Sequence, residues 1–537
     1  MNGAESLVHT LLNGGVNVCF ANPGTSEMHF VAALDKVAGM RCVLGLFEGV
    51  VTGAADGYYR IKDRPAATLL HLGPGLANGL ANLHNAKKAN SGIVNIVGDH
   101  ASGHLKLDAP LTSDIATLAR PMSHWVHSSS SAAAIQADGR EAIRQANSRP
   151  GRIATLILPA DTAWTETTRS ESADTPISNG DTNPQADPAG PAATRSLGGS
   201  LTDDSLRQAA QALRLGPSTL LLLGGRALRA NATQWAGRIA AATGCALMSE
   251  FYGARLERGA GRVMVPRLPY AVEPALAALA PFNRIVLVGA KEPVAFFAYP
   301  GKPGVLTRPG CECVTLASRE DDLEAALQAL CEVLGAGQGP VAQVAVRTAA
   351  PAADSFHGPI EPDSVARLLV AQLPHNAIVI DEAVTMGRSF DKATQGAAPH
   401  DWLTGMGGSI GFALPAAVGA AIAAPDRKVF ALEGDGSGMY TLQALWTMVR
   451  ESLDITVVIF ANRAYKILLG EFSGVGAGVP GRRATDMLSL DRPDLDWVAL
   501  AKGMGMPACR VSDMSGFSLG LQRALAVPGP ALVEVMV

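Results

Sequence analysis

Short apolar runs alternate with segments of helical spacing along most of this chain. Residues 1–165 open with a helical pattern near Ala4–Asn13, then a strand in VNVCFANPG, a helix from about Glu27 and the segment CVLGLFEGVVTGAADGYYRI. A strand follows in AATLLHLGPG, a helix in LANGLANLHNAKKA and a strand in IVNIVGD. Strands that are apolar throughout belong in a sheet covered on both faces, and the helices between them supply the cover. The pattern predicts a doubly wound parallel α/β domain over 1–165.

Twice the pattern lapses. Residues 166–200 carry Ser, Thr, Asp, Pro and Gly with no apolar period, which predicts a linker. From 201 to 335 helix and strand alternate again, with strands in STLLLLGG and NRIVLVGAK, so a second α/β domain is expected. A linker at 336–360 leads to a third domain, 361–537, which holds HNAIVIDEAV, GMGGSIGFALPAAVGAAIAA and KVFALEGDGSGMYTLQALWTMVRESLDITVVIFANRAY. The first and third share an echo: LLHLGPGLANGLANLHNAKKANSGIVNIVGD and VFALEGDGSGMYTLQALWTMVRESLDITVVIFAN both run strand, glycine turn, helix, strand. Duplication is one origin of such an echo.

Composition narrows the class. At 537 residues the chain exceeds one ordinary core, in keeping with several domains. Hydrophobic residues at 48% against 17% charged suit a well-buried α/β enzyme. A formal charge of −4 offers no attraction to nucleic acid or an anionic membrane, so a small molecule is the expected partner. No apolar run is long enough to span a bilayer, and no basic-then-apolar leader pattern opens the chain. Seven cysteines, at 19, 42, 245, 311, 313, 331 and 509, lack metal-ligand spacing, and a reduced, cytoplasmic setting is expected.

Candidate chemistry concentrates in the third domain. Gly434, Gly436 and Gly438 let the backbone turn tightly after a strand, so that amide N–H groups at the following helix start, Ser437 among them, can face a phosphate. Asp435 adds a hard oxygen ligand. Asn462 comes 27 positions later, after a helix and a second strand, where a parallel crossover would bring it beside the first strand's end. A carboxylate, an amide oxygen and phosphate oxygens suit Mg²⁺. Gly-Asp-Gly alone could be a plain turn; the second strand and the Asn at this spacing favour the metal.

Gly-Asp-Gly with an Asn at this distance resembles the thiamine-diphosphate (ThDP) signature of acetolactate synthases, benzoylformate decarboxylases and pyruvate oxidases. NPGTSE at 22–27, the Glu within LFEGVVTGAADGYYR, GPG at 73–75 and GGSIGFALPAAVG strengthen the resemblance, which covers essentially the whole chain. It implies three doubly wound parallel-sheet domains: pyrimidine-binding, central and diphosphate-binding. It also implies that Glu48 hydrogen-bonds the aminopyrimidine ring and drives removal of the thiazolium proton, a task that an apolar neighbourhood would help by keeping the acid protonated. A helix-start Glu is the plain alternative. Gly408 aligns with the residue whose carbonyl receives the cofactor's amino group, and Ile410 with the bulky residue that props the cofactor in its bent form. Thr385 could donate to the diphosphate, although such a Thr can also merely cap a helix. The metal set is Asp435, Asn462 and the carbonyl of Ala464. Arg463 stands where these enzymes commonly have Gly, which makes the local backbone the weakest part of the match.

Substrate residues are harder to read. His71 precedes a Leu-Gly-Pro-Gly turn and resembles the His of benzoylformate decarboxylase, where it would protonate the intermediate or orient a keto acid. Thr25 falls where that enzyme places a Ser against the substrate carboxylate. Its second catalytic His would align near Phe296, and a phenyl ring cannot transfer protons, which puts that activity in doubt. His100 and His104 lie in a loop that could reach the same pocket, or lie on the surface. The resemblance implies a ThDP- and Mg²⁺-dependent enzyme that cleaves or joins a carbon–carbon bond at a 2-oxo acid, acetolactate-synthase-like. Decarboxylation of an aromatic 2-oxo acid is the alternative, and a non-catalytic cofactor-binding relative the reading from another class. FAD is not expected, since ECVTLASREDD lacks the acidic pair usual in flavin-containing relatives. A homodimer or homotetramer with sites at the subunit interfaces is implied, because Glu48 and Asp435 sit on different domains.

Overall fold

A computed structural model describes residues 1–168, 201–349, 351 and 355–537. Most of the expected 166–200 linker, and residues 350 and 352–354 of the one at 336–360, lie outside the described residues.

Three sheets form. The first contains β1 (Val18–Asn22), β2 (Arg41–Leu44), β3 (Ala66–Leu70), β4 (Ile93–Asp99), β5 (Trp125–Ser128) and β6 (Ile153–Pro159). All are parallel, in the order β2-β1-β3-β4-β6-β5. Its central strands β3, β4 and β6 are buried at every position, which is why their sequences are largely apolar and the polar Thr68, Asn95 and Thr155 bond one another across them. The second sheet contains β7 (Thr219–Leu223), β8 (Ala246–Ser249), β10 (Arg284–Val288) and β11 (Glu312–Ala317), parallel in the order β11-β10-β7-β8. Between β8 and β10 in the chain, β9 (Leu256–Arg258) leaves for the third sheet. That sheet also holds β12 (Ala377–Glu382), β13 (His400–Thr404), β14 (Val429–Gly434), β15 (Ile455–Ala461), β16 (Ala508–Val511) and β17 (Ala531–Met536), in the order β16-β17-β15-β14-β12-β13-β9.

Numbered by their own chain order, the strands of the first sheet and the six parallel strands of the third lie in the same sequence, 2-1-3-4-6-5, and the second sheet repeats its first part, 2-1-3-4. The two echoing stretches fill the third and fourth strand positions of their sheets, so the echo marks one topological slot used twice.

Two local expectations change. The third sheet is not wholly parallel: β9 pairs antiparallel with β13, and Arg258 on it bonds Asp391 at 2.8 Å and lies over Trp402. This short strand covers the edge of β13 that would otherwise be open. The helix expected to begin at Leu76 instead spans Leu72–Ala89, so Gly-Pro-Gly forms its first turn, where a proline's missing N–H costs nothing.

Helix Glu48–Lys62 of the first region packs directly on helix Ala413–Ala423 of the third. A Cβ on Gly57 would lie 2.1 Å from the Ala416 oxygen, and one on Gly419 1.8 Å from the Ala54 oxygen, so only glycine allows these backbones to meet. Buried Arg60 pairs with Asp56 at 2.6 Å and donates to the Thr404 carbonyl at 2.7 Å, which ties the end of β13 to the first region. Among the described residues no helix is long and apolar enough to cross a membrane.

Candidate active site

The functional candidates gather at the carboxyl ends of the first and third sheets, where open α/β sheets leave room for ligands. In the third, Gly434 pairs with Phe460 across β14 and β15, which sets Asp435 beside Asn462 just past the two strand ends. Asp435 begins a single helical turn, Asp435–Gly438, and is buried. Its Oδ1 accepts the Gly436 N–H at 3.0 Å and its Oδ2 the Arg463 N–H at 2.7 Å. Asn462 Oδ1 accepts the Ala464 N–H at 3.0 Å. Arg463 therefore keeps the tight turn by taking a left-handed φ of 55°, the conformation a glycine would adopt without strain. Its side chain points outward and meets Asp494 at 3.4 Å.

The donor set fits a hard cation bound together with a diphosphate. Burial raises the Asp435 carboxyl above its ordinary range, backbone amides only partly offset this, and no cationic side chain pairs with it among the described residues. A buried carboxylate of this kind is short of positive charge. Among the described residues no three His, Cys, Asp or Glu side chains converge as in an all-protein metal site. One carboxylate, one amide oxygen and one carbonyl would leave further positions to phosphate and water, the kind of ligand set that suits Mg²⁺.

Around this turn lie two carboxyls that sequence reasoning did not single out. Glu382, at the end of β12, accepts the N–H groups of Phe412 at 2.7 Å and Ala413 at 3.0 Å, pinning the start of helix Ala413–Ala423. Glu433, at the end of β14, accepts from the Ser437 hydroxyl and from the Gly434 N–H. Burial pushes Glu382 up to about 7, and burial together with repulsion from Glu382 holds Glu433 well above the usual carboxylate range. The pair keeps a proton at neutral pH. Each stands at the carboxyl end of an apolar strand, in AIVIDE and VFALEG, where a carboxylate by itself does not separate a buried pair from an ordinary strand end.

The loop carrying Gly408 and Ile410 is held by the first region. Asn85 donates to the Ser409 carbonyl at 2.8 Å and accepts the Ser409 N–H at 3.2 Å, His84 contacts the Gly407 carbonyl at 3.2 Å, and Asn82 reaches the carbonyls of Gly49 and Gly411. Gly408 is exposed with a φ of 73°, Ile410 is half-buried, and Thr385 lies just beyond β12 ahead of a 3-10 turn.

In the first sheet, Glu48 opens helix Glu48–Lys62, half-buried, and its Oε2 accepts from Asn78 at 3.0 Å. His71 follows β3 directly, and its Nδ1 lies 2.8 Å from Oε2 of Glu27, a residue the sequence reading passed over within NPGTSE. Glu27 is buried and also accepts the Gly24 N–H at 2.7 Å. Burial raises its carboxyl, while the Gly24 amide and the imidazole pull it back. A Cβ on Gly24 would lie 2.4 Å from the His71 ring, and one on Gly98 1.6 Å from Glu27 Oε1, so two glycines make the space for this pair. Thr25 is exposed next to it. His100 and His104 stand ring to ring at 5.3 Å beyond β4, with His104 exposed.

Non-glycine residues with left-handed backbone recur at these strand ends: Leu72 after β3, Val384 after β12 and Arg463 after β15. Such strain persists where the surroundings impose it and clusters at functional sites.

Residues 1–128 match the model of the thiamine pyrophosphate enzyme N-terminal TPP binding domain, and residues 385–535 that of the C-terminal TPP binding domain. The chain belongs to the thiamine pyrophosphate enzymes. Within this family it is 49% identical to IlvX of Mycobacterium tuberculosis, provisionally named an acetolactate synthase large subunit, across 100% of this chain and 99% of that one. It is 29% identical to the benzoylformate decarboxylase of Pseudomonas aeruginosa, across 97% and 96% of the two chains. Its fold matches the ThDP-dependent 4-hydroxybenzoylformate decarboxylase of Rhodococcus jostii with a TM-score of 0.82 at 22% identity, covering 100% and 99%. The two matched stretches leave residues 129–384 between them, and all the candidates above except Phe296 fall in or beside those stretches.

Proposed function

We propose that the chain is a ThDP- and Mg²⁺-dependent enzyme that decarboxylates a 2-oxo acid, pyruvate or a relative, and transfers the acyl group to a second carbonyl in the manner of acetolactate synthases. One observation carries most of the reading: a buried, amide-framed Asp435 lies beside Asn462 at the mouth of the third sheet with no cationic side chain paired to it among the described residues. ThDP, when bound, supplies the sink for the electron pair left on the former carbonyl carbon as carbon dioxide departs.

The residues divide this work. Asp435, Asn462 and the Ala464 carbonyl would hold Mg²⁺ against the diphosphate, with Gly434, Gly436, Ser437 and Thr385 contributing backbone and hydroxyl donors. The Gly408 carbonyl would receive the aminopyrimidine's amino group and Ile410 support the bend. Glu48 would bond the far side of that ring and exchange a proton with it. His71, oriented by Glu27, would deliver or take a proton at the substrate, and Thr25 would meet its carboxylate. Phe296 cannot take the role of a second histidine, which counts against a two-histidine decarboxylase.

Two further features support the picture. At the carboxyl ends of β7 and β10, where a nucleotide crevice would lie, Arg319 bonds Glu250 at 2.6 Å and the Gly289 carbonyl at 2.9 Å. These contacts occupy polar groups that a dinucleotide at this crevice would otherwise engage, which counts against FAD. All seven cysteines are unpaired, which suits the cytoplasm.

Glu48 and the Asp435 set belong to different regions, and a homodimer, or a homotetramer of such dimers, would join the Glu48 of one subunit to the Asp435 of its partner. Mixing inactive Glu48→Gln with inactive Asp435→Ala protein should restore up to about a quarter of wild-type activity per site, since a mixed dimer holds one intact site. Verified mixed dimers with no recovery would overturn the shared site.

A further inference from the structure

The central region turns a run of aromatic rings toward Gly408. Phe251 and Tyr252 follow β8, Tyr270 lies further along, and Phe296 and Phe297 follow β10. Their centroids form a continuous chain: 4.5 Å from Phe251 to Tyr252, 5.7 Å from Tyr252 to Phe296, 5.5 Å from Tyr270 to Phe296 and 4.7 Å from Phe296 to Phe297. Most meet edge to face, the arrangement that the ring quadrupole favours. The Arg267 guanidinium closes one end, 4.8 Å above Phe251.

Two observations tie this wall to the site and not merely to a domain boundary. Gly253 and Thr404 bond in both directions, at 3.2 and 3.0 Å, so the segment bearing Phe251 and Tyr252 is fastened to the end of β13, just before the Gly408 loop. The Phe296 ring tip lies 3.1 Å from where a Cβ on Gly408 would sit. Phe296 is nonetheless 43% exposed and Phe297 50%. Rings meant only to glue two regions together would be buried, whereas these end in a half-open apolar face beside the carbonyl assigned to the cofactor. The five rings include no imidazole and no carboxyl group. The wall can grip but offers no strong acid or base at neutral pH.

We propose that Phe296 and Phe297, backed by Tyr252 and Tyr270, receive the side chain of the 2-oxo acid and select an uncharged, ring-sized group over the methyl of pyruvate. This rests on the 2-oxo acid reading above and narrows its donor. A methyl group leaves the two exposed rings wet, whereas an aryl or benzyl group buries both, which is worth roughly 10-fold or more in kcat/KM.

The test uses full-length protein loaded with ThDP and Mg²⁺. Carbon dioxide release is measured from pyruvate, benzoylformate and phenylpyruvate, for wild type, Phe296→Ala, Phe296→Leu and Phe297→Ala. Wild type should prefer at least one ring-bearing acid by about 10-fold over pyruvate, and Phe296→Ala should cut that acid's kcat/KM by about 10-fold while pyruvate moves less than about 3-fold. Phe296→Leu, which keeps apolar volume, should retain folding and fall between the two. Preference for pyruvate in wild type, or an equal loss for both substrates in variants that still bind ThDP, would overturn the proposal while leaving the 2-oxo acid reading intact. Release from none of the acids by a protein that still exchanges the thiazolium proton would remove both.

Discussion

The stretch from β3 to β4 and the stretch from β14 to β15 occupy the same slot in sheets of the same strand order, yet their turns do opposite things. After β3 the chain enters a long helix at once, Leu72–Ala89, and the turn holds an imidazole clamped by a buried glutamate. After β14 it makes one turn of helix, Asp435–Gly438, breaks, and resumes at Ala444–Arg450. The break presents a buried carboxylate framed by amides. Under the proposed function the first turn would move a proton and the second would hold a cation and phosphates. A shared framework thus determines where a turn opens, and a few side chains determine what it binds.

That contrast can be broken from either side. The largest effect is expected at the first turn. Glu27→Gln keeps the shape of the side chain but removes the charge facing His71, and should lower kcat by roughly 10- to 100-fold with little change in KM or ThDP affinity. A positioning role predicts an altered pH–rate profile as well, whereas a merely structural glutamate would leave the profile in place. Steady-state kinetics across pH distinguishes the two.

At the second turn, the buried Glu382 and Glu433 hold a proton that an unfolded chain would release. Their folded-state values are raised above the ordinary 4.5, Glu382 to about 7, so the folded state binds more protons across that window. Their contribution to stability is therefore present at low pH and lost as pH rises through about 7. Glu433→Gln removes one member of the pair, and its stability between pH 5 and 8 should decline less steeply than wild type's, by more than about 1 kcal/mol. Denaturant melts of cofactor-free protein at both pH values give the comparison; parallel slopes would mean that the pair does not retain its proton.

The smallest effect sharpens the comparison at the strained backbone. Arg463→Gly relieves a left-handed residue but adds chain entropy, so a net gain of at most about 1 kcal/mol is expected, with Mg²⁺-dependent ThDP affinity unchanged. A large affinity loss would show that the guanidinium takes part in cofactor binding, which its outward orientation gives no reason to expect.

Much of this was legible in the order of residues. Largely apolar runs mark β3, β4 and β14, because burial on both faces favours apolar side chains and admits a polar one only with a partner, as Thr68 has in Asn95. Asp435 and Asn462 could be paired from spacing, since a parallel crossover of ordinary length returns the chain one strand away. Glu48 and His71 stood out only through a family pattern. Glu27, Glu382 and Glu433 were not found, as each looks like an ordinary polar residue where a strand or turn ends.

Local sequence by itself determines the strands, the helices and the two glycine turns, because periodicity and backbone freedom act over a few residues. Beyond strands joined by a single crossover, only the tertiary structure decides which strand ends become neighbours. Glu27 meets His71 across 44 residues because β1 and β3 lie side by side, and Glu382 meets Glu433 because β12 and β14 do. Strand order is written in no single segment, and buried charge takes its meaning from whatever that order places beside it.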